Sequence, residues 1–109
     1  NGIKVIAAKL DGLDMNALRS TSDDLKNRVS SGVIILASSK EDKVNLIVSA
    51  TKDAVAKGIH CGKIIKEAAA ACGGGGGGRP DMAQAGGKDA AGIDNAISIA
   101  KEKAIEVLN

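Results

Sequence analysis

The chain has 109 residues, enough for one domain around a single modest core. Its formal net charge of +2 is too small for a general polyanion binder, so any basic site has to be local. It contains no Phe, Tyr or Trp, which removes the aromatic platforms on which single-strand binders stack bases.

No stretch approaches the roughly 18 uninterrupted apolar residues of a membrane span. No signal-peptide pattern follows Asn1-Gly2, so the expected compartment is the cytoplasm, with no membrane partner. The opening without methionine reads as a piece of a longer protein.

In chain order, Ile3–Leu10 is rich in β-branched residues and predicts a first strand, closed by the turn signal Asp11-Gly12. Asp14 is a candidate helix N-cap, with Leu13 and Leu18 placed as a hydrophobic staple. The helix is expected to run to about Val29, with Leu18, Leu25 and Val29 on one face. Gly32 is expected as its C-terminal glycine. Val33–Ser38 and Val44–Thr51 read as strands. The polar link Ser39-Lys40-Glu41-Asp42-Lys43 leaves no room for a crossover, so the two pair antiparallel.

Asp53–Lys57 reads as a short helical or irregular stretch. His60–Cys72 is the clearest helix: Cys61, Ile64, Ile65, Ala68 and Cys72 form one stripe, with Lys63, Lys66 and Glu67 on the other. Both cysteines read as small buried apolar residues. Their separation fits no zinc spacing and, on one helix, no disulfide. His60 and Cys61 are adjacent and point about 100° apart on a helix, which argues against a catalytic dyad. Met82–Ala85 predicts a short strand. Asp89 or Asp94 caps a last helix with Ile93, Ala96, Ile97, Ala100, Ala104 and Val107 at helical spacing. The expected order is βαββαβα: an α/β single domain, with a mixed β-sheet of four to five strands and helices packed on it.

The glycine run Gly73–Gly78 interrupts this pattern. Ordering it costs about 1–2 kcal/mol per residue, and glycine offers no side chain to bury in return. A flexible linker is the plain reading of such a tract. Yet the one helix beyond it cannot bury a core alone, so the run joins parts of one domain. It also exceeds what a helix-to-strand connection needs. A binding loop is the stronger reading. Dinucleotide and phosphate-loop signatures need a strand before and a helix after; here a helix precedes, Pro80 follows, and no Gly-Lys-Ser/Thr ending occurs.

What remains is a nest of backbone amides able to hold anions, beside local cations. Arg79 is fixed to the loop by Pro80, and its planar fork suits phosphate. Lys63 and Lys66 stand on the solvent face of the preceding helix, and Lys88 follows the pair Gly86-Gly87. Asp81 is expected to brace the loop, and Gln84 either to reach a base edge or sugar hydroxyl or to be a plain strand residue on the exposed face. The carboxylate pairs Asp23-Asp24 and Glu41-Asp42 read as solvated surface residues, so no catalytic or metal site is expected.

At these residues the chain resembles a known family. Gly73–Gly78 followed by Arg79-Pro80-Asp81-Met82-Ala83-Gln84-Ala85-Gly86-Gly87 looks like the glycine-rich signature at the C-terminus of bacterial alanyl-tRNA synthetases. That domain type (DHHA1-type) also accompanies DHH phosphoesterases. The strand Val33–Ser38, the strand Val44–Lys52 with its Thr-Lys-Asp, and the helix Gly62–Cys72 fall in the order expected of it, so the resemblance covers essentially the whole chain.

The resemblance implies a non-catalytic domain that binds the outer corner of the tRNA for alanine. Aminoacylation and editing, with their ATP, magnesium and zinc, would belong to upstream domains of the same chain, and no cofactor or metal to this piece. By position it implies binding residues at Gly73, Gly74, Gly75, Gly76, Gly77, Gly78 and Arg79, with Gln84, Gly86 and Gly87. The alternatives are the nucleic-acid grip of a DHH-family phosphoesterase, and a self-association module forming a homodimer through the glycine run.

Overall fold

Strand β1 (Lys4–Lys9) leads into helix α1 (Met15–Arg28) in a computed structural model that describes residues 3–41 and 43–108. The helix starts where cap chemistry says it should. Asp14 is extended, and its carboxylate accepts a hydrogen bond from the Ala17 amide at 2.9 Å. Leu18 is fully buried, and Leu13, Leu25 and Val29 pack around it. The helix also ends where expected, at Arg28, but Gly32 does not close it. The chain turns extended at Val29, and Gly32 is the first residue of strand β2 (Gly32–Lys40), paired with Lys4. A Cβ there would lie 3.1 Å from both the Lys4 carbonyl and the Val29 side chain, so this glycine serves close strand packing.

Strands β2 and β3 (Lys43–Ala50) are antiparallel, as expected, and the pairing extends to Lys40 opposite Lys43. Ser39, Lys40 and Lys43 therefore belong to the strands; Asp42 lies outside the described residues, as do Asn1 and Gly2. A short helix α2 (Lys52–Ala56) and the main helix α3 (Cys61–Ala70) follow. His60 is the N-cap of α3, its Nδ1 accepting from the Lys63 amide at 3.2 Å. Cys61 and Cys72 are both free and buried.

The glycine run supplies an element that the expected order lacked. Gly75–Gly78 form strand β4, antiparallel to β5 (Met82–Gly87). A turn of 3₁₀ helix, capped by the Asp89 carboxylate on the Ala91 amide, enters helix α4 (Ile93–Leu108). The order is thus βαββααββα. The five-stranded sheet runs β1-β2-β3-β5-β4, parallel only between β1 and β2.

Alternation along the strands splits the core in two. Val33, Ile35, Val44, Leu46, Val48, Ala83 and Ala85 meet Cys61, Ile64, Ile65 and Ala68 of α3 and Ala96, Ala100 and Ala104 of α4. On the opposite face, Ile34, Leu36 and Ile47 meet Leu18 of α1. Val107, expected on the buried stripe of α4, is 42% exposed. The asymmetry matters for function: α1 covers the centre of its face, while β5 and β4 extend past it.

Candidate nucleic-acid interface

Strand β4 is an edge strand, and all four of its residues are exposed. It is not the nest expected from sequence. A nest needs alternating right- and left-handed residues; within the run only Gly73, at φ +64°, is left-handed. Gly73 and Gly74 donate to the Ala70 and Ala69 carbonyls, closing α3, and the chain then straightens into β4.

The strand is glycine for two separate reasons. A Cβ on Gly74 would stand 1.8 Å from the Gly86 oxygen, on Gly76 2.4 Å from the Gln84 oxygen, and on Gly78 2.6 Å from the Met82 oxygen. These three positions have no room for a side chain. Gly75 and Gly77 have nothing within 4 Å. They sit opposite Gly86 and Gln84, on the α1 face of the sheet, because directly paired residues share a face and Gln84 also pairs with Ile47. The fold does not require their bareness.

The turn that follows is held by three elements. The Arg79 amide donates to the Met82 oxygen, the Cys61 amide of α3 to the Pro80 oxygen, and the Ala50 amide of β3 to the Asp81 oxygen, each at 2.9 Å. Asp81 braces the turn as expected, its carboxylate 3.6 Å from the Arg79 guanidinium. With Arg79 paired to Met82, ladder alternation directs Gly77 and Gly75 toward β5 and the amides of Gly76 and Gly78 outward. Those outward groups lie about 7 Å apart along the strand, on the side of β4 where the sheet has no further strand.

Arg79 does not act alone. An open cleft of about 380 Å³ is lined by Arg19, Gly77, Gly78, Arg79, Met82, Ala83 and Gln84. Arg19 comes from α1 and faces the glycine strand across the uncovered part of the sheet. Its sequence neighbourhood carried no signal, because only the packing of α1 on β2 and β3 decides which of its cations meets β4. Gln84 lines the same cleft.

The remaining expected residues divide. Gly86, Gly87 and Lys88 lie at the far end of β4. Lys66 follows Gly62 by one helical turn, and Gly62 abuts the Gly78 carbonyl, so Lys66 lies on the row of α3 beside β4. Lys63 is elsewhere: it lines a small cleft with His60, Glu67, Lys103 and Val107 between α3 and α4, where Glu67 and Lys103 form an ion pair at 3.5 Å. Among the described residues no three His, Cys, Asp or Glu side chains are grouped to hold a metal ion, and no helix is long and apolar enough to cross a membrane.

Comparison with known proteins agrees with this architecture. The DHHA1 domain family model matches residues 2–106. An alanine–tRNA ligase of Acetivibrio thermocellus is 60% identical over 97 residues, covering 89% of this chain and 11% of that protein. The alanine–tRNA ligase of Clostridioides difficile is 51% identical over 102 residues, covering 94% of the chain and 12% of that protein. The chain thus spans about a tenth of the length of these relatives. Among solved structures, the C-Ala domain of Aquifex aeolicus alanyl-tRNA synthetase superposes with a TM-score of 0.82 at 31% identity, over 90% of this chain and 87% of that one. With the family model spanning nearly every residue and the fold shared over nine-tenths of the chain, the chain belongs to the DHHA1 domain family, as a C-Ala domain of the alanyl-tRNA synthetase kind.

Proposed function

We propose that this domain binds tRNA, taking the outer corner of the L-shaped tRNA for alanine against β4 and the Arg79 turn. One observation carries the reading. Gly75 and Gly77 leave open space where side chains would stand, on an exposed strand beside Arg19 and Arg79. A bare backbone lets a phosphodiester chain approach closely, and the two guanidiniums supply forked donors for phosphate. Without aromatic residues, recognition rests on shape and backbone contact, as suits a folded RNA.

Held this way, the tRNA stays on one molecule while other parts of a cytoplasmic alanyl-tRNA synthetase charge and edit it with ATP, magnesium and zinc. The test is a gel shift of intact tRNA against a short acceptor-stem hairpin. Tighter binding of the intact molecule, weakened by Arg79→Ala, is the expected result. Equal affinity for the two RNAs, or indifference to Arg79→Ala, overturns it. A second reading follows from the unpaired edge, since such strands are templates for pairing with another chain: β4 mediates a homodimer. Sedimentation at two concentrations separates the readings, a constant monomer mass removing the dimer.

A further inference from the structure

At the opposite end of β4 from Arg79, a second open cleft of about 420 Å³ is lined by Lys43, Val44, Asn45, Gly73, Gly74, Gly75, Gly86, Gly87 and Lys88. Two cations from separate elements meet there: Lys43 opens β3, and Lys88 follows β5. Both are exposed, and no carboxylate among the described residues pairs with either. The carboxylate beside Lys88 in sequence, Asp89, is occupied in capping the Ala91 amide; the one beside Lys43, Asp42, lies outside the described residues. The floor is again glycine backbone, and Asn45 adds an uncharged polar group from β3.

The two clefts share one strand. Gly77 and Gly78 line the first and Gly73–Gly75 the second, so their centres are about 12 Å apart at the rise of an extended chain. Each pairs two cations from different elements, Arg19 with Arg79 and Lys43 with Lys88, and between them lies the uncovered sheet face of Gly75, Gly77, Gln84 and Gly86. That places four positive charges around a surface with few side chains, on a chain whose net charge is only +2.

We propose that Lys43 and Lys88 form a second phosphate-binding cleft, so that the domain grips one folded RNA at two backbone positions from the two ends of the glycine strand. This rests on the RNA-binding reading and adds to it a second anchor with different residues. The consequence is orientation: two anchors fix the direction of the nucleic acid along β4, which a single arginine cannot do.

The experiment measures affinity of the 109-residue chain for an alanine-tRNA transcript by fluorescence anisotropy across a salt series. Lys43→Ala with Lys88→Ala should weaken binding about tenfold at 0.1 M salt and lower the slope of log affinity against log salt by about two, one for each lost phosphate contact. Arginine at both positions should restore both quantities. Lys57→Ala with Lys101→Ala, at exposed positions just after α2 and on α4, should change neither. Unchanged affinity and slope in the Lys43/Lys88 variant, with Arg79→Ala still weakening binding, overturns the second cleft and leaves the first. Equal losses in the Lys57/Lys101 variant also overturn it, since the effect would then be bulk charge. Silence of Arg79→Ala overturns the RNA reading itself.

Discussion

A Cβ placed on Gly62 would stand 2.7 Å from the carbonyl oxygen of Gly78, so helix α3 and strand β4 meet backbone to backbone with no side chain between them. The strand is thereby clamped between α3 and β5. Alanine at Gly62, Gly76 or Gly78 forces main chain apart and should cost about 1–3 kcal/mol each, as overpacking does. Alanine at Gly75 or Gly77 meets nothing and should leave stability unchanged or raise it by up to about 1 kcal/mol, by restricting the unfolded chain. Urea unfolding of the five single variants reads the alternation, and tRNA binding should fall at Gly75 and Gly77 in proteins that remain fully folded.

Ser22 of α1 and Ser49 of β3 are both buried, and their hydroxyls share a hydrogen bond of 2.6 Å. Ser22→Ala leaves the Ser49 hydroxyl without that partner in an apolar setting, at a cost of about 1–3 kcal/mol. Adding Ser49→Ala should recover much of it. A double-mutant cycle by chemical denaturation measures the coupling; additive losses would show that the two hydroxyls do not depend on each other.

Burial lifts the Cys61 thiol from an ordinary 9.0 to about 12, with the Asp81 carboxylate adding to the shift. Burial first, then Asp89, also raises Cys72. Both thiols should resist maleimide at pH 8 until the protein unfolds, because the thiolate is the nucleophile. The folded value lies above the unfolded one, so the contribution of Cys61 to stability is complete below pH 9 and disappears as pH rises toward 12. Cys61→Ala should flatten this alkaline limb, measured by urea unfolding at pH 8 and 10.5.

At the start of α2 the Asp53 carboxylate accepts from the Ser31 hydroxyl and, at 2.5 Å, from the Thr51 hydroxyl. These bonds, Ser31 first, hold its pKa below the ordinary 3.8. A depressed folded value makes the contribution present above pH 4 and lost as pH falls through the folded value. Asp53→Asn should make stability less sensitive to pH in the acid range, read from thermal unfolding between pH 5 and 2.

What could be read from sequence was what side chains write locally. Asp14, Leu13 and Leu18 specify the start of α1 through cap and staple chemistry, and the stripe Cys61, Ile64, Ile65, Ala68 specifies α3. The Arg79-Asp81 brace was legible because both partners sit in one turn. Strand β4 was not, because strand recognition depends on alternating side chains and Gly75–Gly78 have none; its neighbours impose its conformation, through the Ala83 and Ala85 backbone and the close approach of Gly62. Gly32 was misplaced for a related reason, since a glycine after a helix serves a C-terminus or a tight strand contact equally well. Arg19 and Lys43 left no local trace, as their meeting with the glycine strand is set by the packing of α1 on the sheet and by the order of the strands.

The Pro80 turn, moored to α3, β3 and β5 at once, has a kinetic corollary. The segment bearing the Arg79 guanidinium is ordered when the protein folds, so little conformational freedom remains to be lost when a nucleic acid arrives. Encounter should then be governed by diffusion and charge, with differences among RNA partners expressed chiefly in how long each stays bound.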